Sequence, residues 1–447
     1  MSEIKNTIDS KATMAKIKHD LLRPITHHKN IQIWGLFLSI VLGALLWGYS
    51  LQLMDGLGRT GMRDYVSWGM YIANFVFFVA TSLVGMLISA VLGLLRIKWI
   101  TPITRIAEII ALGFVMVAGL VIVVDMGRPD RLLNVFIYGR FQSPILWDIT
   151  VITTYVVIST LLYLLPLLPD LGFMKKHMKN DVPKWQWMIY NILSLGWAGT
   201  PQQYKILHRA IRVLLVLIVP VALAIHTVTS WLFAATLRPG WDTTVFGPYF
   251  VSGAFVAGSA AVILAMYFYR NNFKLQDYLT DDIFDKMGKL LVLVSLVYAY
   301  FNLNEFLVPG YKMKAHDAEH LETLFSGHYA GLFWFTQIVG LVVPILLGLW
   351  KKARKPGPLA IIAGFVILGA WLKRYLIVIP TMLHPHLPVQ NVPEEFKHYS
   401  PSALEITLTI GTIGLAILII TFLSKLFPVI SIWETAHEKG VDLDKDI

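Results

Sequence analysis

Ten stretches of this chain stay apolar for about the 20 residues that a helix needs to cross a bilayer. They run near 31–53, 66–95, 104–126, 145–168, 209–235, 247–269, 286–308, 327–350, 358–380 and 403–427. A bilayer offers no water to free backbone groups, so long apolar runs predict membrane-spanning helices. The expected fold is an all-α integral membrane protein with one ten-helix domain over 31–427. It lies between an N-terminal tail, 1–30, and a C-terminal tail, 428–447. The first tail is polar and basic without a short apolar core, so it reads as a solvated tail and not as a secretory signal. Between runs four and five, residues 170–208 are polar but carry Trp185, Trp187, Tyr190 and Trp197. That density of aromatic anchors predicts a segment lying in the interface on the side of the tails.

The basic residues are sorted by side. The two tails and every second connection hold 27 of the 38 Lys and Arg, the alternate connections hold 9, and Lys373 and Arg374 fall inside run nine. Positive charge marks the cytoplasmic side. Both termini are therefore expected in the cytoplasm of a bacterial or archaeal cell, with the chain multi-pass in the inner membrane.

The runs also repeat. Run two opens Gly69-Met70-Tyr71 and run six opens Gly247-Pro248-Tyr249; run three closes on Asp125 and run seven on Glu305, each four residues before a proline. The offsets are 178 residues for the tyrosines and 180 for the acids. An even number of spans separates the copies. Spans two to five and six to nine are expected to be two four-helix bundles, a parallel repeat about an axis along the membrane normal, with flanking helices one and ten.

Composition agrees with this and narrows the chemistry. Hydrophobic residues make up 56% of the chain and charged residues 15%, with a mean hydropathy of +0.62; soluble proteins carry about 25% charged residues. The net charge of +10 is a sum of sided loop charges, so no nucleic-acid partner is expected. There is no cysteine, which excludes thiolate-held iron–sulfur clusters and Cys-ligated zinc. Of 13 histidines only His226 lies well inside a span, so no bis-His haem is expected. His384 and His386 flank Pro385 without a third ligand at motif spacing, so no metal site is expected either.

Ionisable residues inside a membrane are expensive, and they default to functional candidates. Here they gather at one depth, toward the outer side: Asp125, Asp148, His226, Glu305, Lys373, Arg374 and Glu405; Glu108 is the comparable group on the inner half. A quinone head needs hydrogen-bond donors when oxidised and acceptors when reduced, and His with carboxylates can supply both. Each residue also has a plainer role. Asp125 beside Arg128, Asp130 and Arg131 has the composition of an ion-paired loop anchor; His226 could bond Ser or Thr across helices; Glu305 and Glu405 could cap helices; Lys373 could snorkel outward. A secondary transporter is the alternative function, but it would place broken helices and polar groups at the midplane. The main mid-span proline is Pro220. A purely structural anchor is the third reading.

Short motifs along nearly the whole chain resemble the NrfD/PsrC family of quinone-interacting membrane subunits. They are Gly69-Met70-Tyr71-Ile72 with Asn74-Phe75-Val76-Phe77, Asp125-Met126-Gly127-Arg128-Pro129-Asp130-Arg131, and Ser143-Pro144-Ile145-Leu146-Trp147-Asp148. The His226 stretch, Pro239-Gly240-Trp241, Pro248-Tyr249-Phe250, Trp371-Leu372-Lys373-Arg374-Tyr375 and Pro401-Ser402-Ala403-Leu404-Glu405 complete the set. The ten-helix branch found in alternative complex III, the quinone reductase complex and sulfur-cycle membrane complexes is the most similar. The resemblance implies a subunit without a redox centre of its own. It would bind a quinone, menaquinone ahead of ubiquinone, near the outer face. Periplasmic iron–sulfur or multihaem cytochrome c subunits would be its partners, beside other membrane subunits, and energy would be conserved by a redox loop or by proton translocation. The resemblance places Asp125, Asp148 and His226 at the quinone. Tyr71, Asn74, Trp147, Arg128, Arg374, Glu305 and Glu405 are expected around it, with Arg374 keeping Asp148 ionised. Lys373 departs from the acidic residue expected beside the Arg in the alternative complex III branch.

Overall fold

The computed structural model describes residues 2–26, 31–88, 90, 94–95, 97–236, 238–387 and 389–441. Residues 1, 27–30 and 442–447, parts of the two expected tails, lie outside the described residues.

Ten helices are long and apolar enough to cross a membrane: Gln32–Asp55, Met70–Leu87, Thr101–Asp125, Pro144–Leu164, Pro201–Ala234, Phe246–Asn272, Asp281–Lys312, Ala330–Gly348, Pro356–Met382 and Ala403–Leu426. They are spans one to ten below, and no strand accompanies them among the described residues. The all-α membrane fold is as expected. Prolines open spans four, five and nine in the first turn, where a missing N–H costs nothing. Thr200 with Gln203, and Ser402 with Glu405, form capping boxes that start spans five and ten.

Spans two, three, four and five close a ring in which each packs on the next and five returns to two. Spans six to nine close a second ring the same way. The rings meet along spans two and six, flanked by contacts of nine with two and of five with six, so the pattern maps onto itself when the rings exchange. The two expected bundles are therefore present. Span two is 94% buried along its apolar window and span six 78%, against 22% for span one, which puts the shared wall at the centre and span one in lipid. At that wall a Cβ on Gly258 would run into Val84, so span six can approach span two only through a glycine. Span one pairs with span ten, which lies on span three.

Both termini lie on one side, here the termini side; the other is the distal side. The expected N-terminal tail contains a docked helix, Ser2–Thr26. Met14, Ile17, Leu21 and Ile25 form its buried stripe, Lys16 pairs with Asp277 at 2.6 Å, and Lys425 Nζ donates to the Pro24 carbonyl at 2.8 Å. The expected interfacial segment 170–208 resolves into two short helices, Leu168–His177 and Lys184–Leu193. Residues 201–208 already belong to span five, because the Thr200-Pro201 start signal acts before the chain turns apolar.

Candidate functional site

Asp148 sits one turn into span four and is 3% exposed. Its Oδ1 accepts a hydrogen bond from Thr229 Oγ1 at 2.6 Å. Thr229 lies three residues after His226 on span five, so the two side chains share a helical face. His226 is 2% exposed, and its Nδ1 lies 3.3 Å from the Ala222 carbonyl. With that proton donated, Nε2 is an acceptor, and it has no hydrogen bond. Over the seam of spans four and five, Trp147 and Trp231 meet edge to face with centroids 6.2 Å apart, both partly exposed toward lipid. A carboxylate and an unused imidazole nitrogen thus lie just behind an aromatic pair on the bundle surface.

A second polar group joins spans one, two and three. Tyr71 donates to Gln52 Oε1 at 2.8 Å, and Gln52 Nε2 donates to the Val124 carbonyl. Asp125 closes span three, whose exit turns through Gly127 at φ +48°, a left-handed conformation that suits glycine. Its Oδ1 is buried without a partner. Arg128 and Arg131 lie on the exposed loop beyond, where Arg128 binds Asp130 through Nε and Nη2 at 3.0 and 2.9 Å.

Other expected site residues are already committed. Glu405 is fully buried and accepts from Tyr399 Oη at 2.6 Å, Gly61 N at 2.7 Å and Ser402 N at 2.9 Å. Burial, then the Glu405 carboxylate, pushes the Tyr399 hydroxyl well up, so it stays a donor. Asn74 donates to Thr409 Oγ1 at 2.7 Å and accepts from Trp371 Nε1 at 2.8 Å, which ties spans two, nine and ten together. In the second bundle Lys373 does not take the plainer role of snorkelling outward. It is 4% exposed, bonds Glu305 at 2.7 Å, and lies 4.5 Å from the Phe306 ring centroid. Arg374 forms no ion pair with Asp148, contrary to expectation. It faces the Phe250 ring at 5.1 Å and, with Tyr298, lines a cavity among spans six to nine. The helix direction sends it into the second bundle, while Asp148 faces the first.

The polysulphide reductase NrfD family matches residues 58–385, nearly three quarters of the chain and all of both bundles up to the end of span nine. The chain belongs to this family. The match bears out the resemblance read from the motifs. This NrfD protein is 25% identical over 405 residues to a selenate reductase subunit of Mesobacillus selenatarsenatis, covering 87% of this chain and 92% of the relative. It is 26% identical over 407 residues to a putative dimethyl sulfoxide reductase membrane subunit of Halobacterium salinarum, covering 86% and 88%. It is 23% identical over 425 residues to an Hdr-like menaquinol oxidoreductase integral membrane subunit of Archaeoglobus fulgidus, covering 92% and 97%.

The structure of this NrfD protein also exposes groups the sequence hid. Gln52 bonds Tyr71 and Thr229 bonds Asp148; an amide near the distal end of the apolar run one was the signal for the first. On the termini side Arg105, which reads as a loop charge, pairs with the fully buried Asp170, and Asp170 also accepts from Ile432 N at 3.2 Å and Trp433 N at 2.9 Å. This knot pins the C-terminal helix Ile432–Glu438 against span three and the helix Leu168–His177. It borders a cavity of about 660 Å³ that reaches Glu108, Arg212 and Glu434. Burial pushes the Glu434 carboxyl up to about 7. His384 and His386, expected to lack ligand partners, meet His320 and His316 across 6.0 and 5.0 Å between ring centroids, but no cluster among the described residues has metal-binding geometry.

Proposed function

We propose that this chain is the quinone-binding membrane subunit of a multisubunit respiratory oxidoreductase. The observation that carries the reading is the set of uncommitted polar atoms in one bundle: His226 Nε2 and Asp125 Oδ1 without partners, and Asp148 with one donor. These atoms fit a quinone head, which needs neutral or ionised partners that exchange protons. A bound quinol supplies two electrons and two protons. Asp148 and His226 hold the head and take up its protons; Thr229 fixes the carboxylate. Asp125 passes protons to the distal side, with Arg128 and Arg131 shaping the mouth. Entry from lipid runs beside Trp147 and Trp231. The second bundle offers no equivalent open carboxylate, because Lys373 closes Glu305.

The names of the relatives support the same reading: two are named as subunits of reductases and one as part of a menaquinol oxidoreductase. Menaquinone is favoured on that ground. The 27-to-9 charge asymmetry makes the termini side cytoplasmic and the distal side periplasmic. With no cysteine and one histidine inside a span, electrons leave directly to an iron–sulfur or multihaem partner docked on the distal side.

Proton supply from the termini side is a second component. The cavity reaches Glu108 and Leu162, and beyond it the buried residues Tyr163, Ser159 and Tyr155 follow span four toward Asp148. The Tyr163 and Ser159 hydroxyls have no partner, as a water-filled path would leave them, and Ile152 is the apolar gap before Asp148.

The test is quinol-dependent electron transfer in the assembled complex carrying Asp148→Asn or His226→Phe. General acid–base groups contribute roughly a hundred- to ten-thousandfold, so a loss of about a thousandfold is expected. Full turnover and unchanged quinol affinity in both variants would put the site elsewhere.

A further inference from the structure

The distal third of the second bundle holds two adjacent buried cations and one carboxylate. Glu305 answers Lys373. Arg374 is 2% exposed, joins no ion pair among the described residues, and has neither Nε nor Nη1 hydrogen-bonded. Removing a guanidinium from water without a counter-charge is costly, and such groups in proteins are paired or bound to an anion. The face of the Phe250 ring, 5.1 Å away, offers only a weak answer.

Arg374 lines a small cavity among spans six to nine, with a volume of about 20 Å³. That is room for one or two water-sized spheres. Its lining is mostly apolar, with Tyr298, Asn302, Thr336 and Gln337 as the uncharged polar residues. Three features keep it open. A Cβ on Gly253 would lie 2.7 Å from Arg374 Nη2. Gly340 and Gly369 let spans eight and nine touch, since a Cβ on Gly340 would lie 2.7 Å from the Gly369 Cα. Span eight also swells into a π-helical turn, Ile338–Val342, at this level, a distortion that recurs at functional sites.

We propose that this cavity binds one small monovalent anion of halide size, with Arg374 as its counter-charge. The volume excludes tetrahedral oxyanions. The Thr336 and Tyr298 hydroxyls are spent on the Leu332 carbonyl and on Tyr249, so the Asn302 and Gln337 amides, each with a second N–H, are the neutral donors beside Arg374. The bound anion balances the second bundle, which otherwise carries one unanswered positive charge. The inference does not depend on the quinone reading, because the cavity is lined by spans six to nine and its test reads halide binding, not quinol turnover.

The test uses the intact purified complex, with chloride exchanged for gluconate at constant ionic strength. Chloride or bromide is expected to raise the thermal midpoint saturably, by about 4 °C, and crystals grown in bromide to show an anomalous peak beside Arg374. Arg374→Gln should abolish both. Ala370→Leu, which fills the cavity and keeps the guanidinium, should abolish both as well and carries the mutational arm if Arg374→Gln does not assemble. A midpoint indifferent to halide, or bromide crystals without that peak, means that water fills the cavity and overturns the proposal.

Discussion

Tyr71 and Asp125 in the first bundle correspond to Tyr249 and Glu305 in the second, and their surroundings differ. Tyr71 bonds only the Gln52 amide, and the Asp125 Oδ1 has no partner. Tyr249 stacks on Tyr298 at 5.1 Å and donates to Asn302, which bonds Gln337, while Glu305 is closed by Lys373. The distal connections differ too. Spans three and four are joined by an exposed loop with Phe136, Tyr138 and Phe141 facing outward. Spans seven and eight are joined by the helix Ala315–Phe325, which buries His320, Leu321 and Leu324. One scaffold thus appears twice, once with its acids open and its end uncovered, once with its acid paired and its end lidded. Proton chemistry needs groups not already committed to packing, so the proposed function assigns it to the first copy.

The largest contrast is in turnover. Asp148→Asn is expected to cost about a thousandfold in quinol-dependent electron transfer, whereas Glu305→Gln in the second bundle should cost less than about tenfold. Equal losses in the two bundles would dissolve the distinction between an open and a closed copy. Next in size is the ion pair itself. Lys373→Met leaves Glu305 buried without its partner and should destabilise the chain by roughly 3–5 kcal/mol, while Lys373→Met with Glu305→Gln should be near neutral. Thermal inactivation of the purified complex measures both. A double variant as unstable as the single one would show that the pair is not what closes this bundle.

Much of this contrast was legible in the sequence, at the level where periodicity and length decide. Ten apolar runs gave ten spans, and the 178- and 180-residue offsets gave two rings. The rest depended on which way side chains face. Run nine places Lys373 and Arg374 side by side, yet one ends on Glu305 and the other beside a cavity, since adjacent helical positions diverge by about 100°. Glu405 could be read as a site carboxylate or as a helix cap; the structure makes it half of a capping box with Ser402 and turns it onto Tyr399 and Gly61, which no local pattern shows. Arg105 and Asp170 are 65 residues apart, and no local pattern announces that they meet.

The lid on the second bundle should be sensitive to acid. Burial, then His384 and Lys373, pushes the His320 imidazole down to about 3. Burial lowers His384 as well, against Glu319, which bonds it, while His316 opposes protonation. An exposed imidazole titrates near 6.5. Between these values the undocked helix binds the proton and the docked helix does not, so docking is strongest above about pH 6.5 and weakens as pH falls toward 3. At pH 5 the loss is about 2 kcal/mol, or about thirtyfold in the docking equilibrium. Hydrogen exchange over Ala315–Phe325 at pH 7.5 and pH 5, corrected for intrinsic rates, reads it directly. The exposed connection of the first bundle should show no such change. In His320→Gln most of the pH dependence should vanish; if it persists unchanged, His384 and not His320 is the responsive group.

The smallest expected effect separates packing from binding at Asn74, in the wall between the bundles. Both ends of its amide are engaged, with Thr409 on span ten and Trp371 on span nine, at 2.7 and 2.8 Å. A side chain so occupied has little left to offer a quinone oxygen, whatever its distance from one. Asn74→Leu keeps the approximate volume and removes both bonds. Polar contacts between membrane helices average about 0.6 kcal/mol each, so the loss of two should lower stability by about 1 kcal/mol. Turnover and quinol KM should be unchanged, because the Asp148–Thr229 bond lies on spans four and five, which this substitution does not touch. The measurement is a pair: the thermal midpoint of the complex and the quinol KM of the same preparation. A stability loss with constant KM assigns Asn74 to the wall. A tenfold rise in KM with an unchanged midpoint would move it into the site and would mean that the quinone reaches the seam between the bundles.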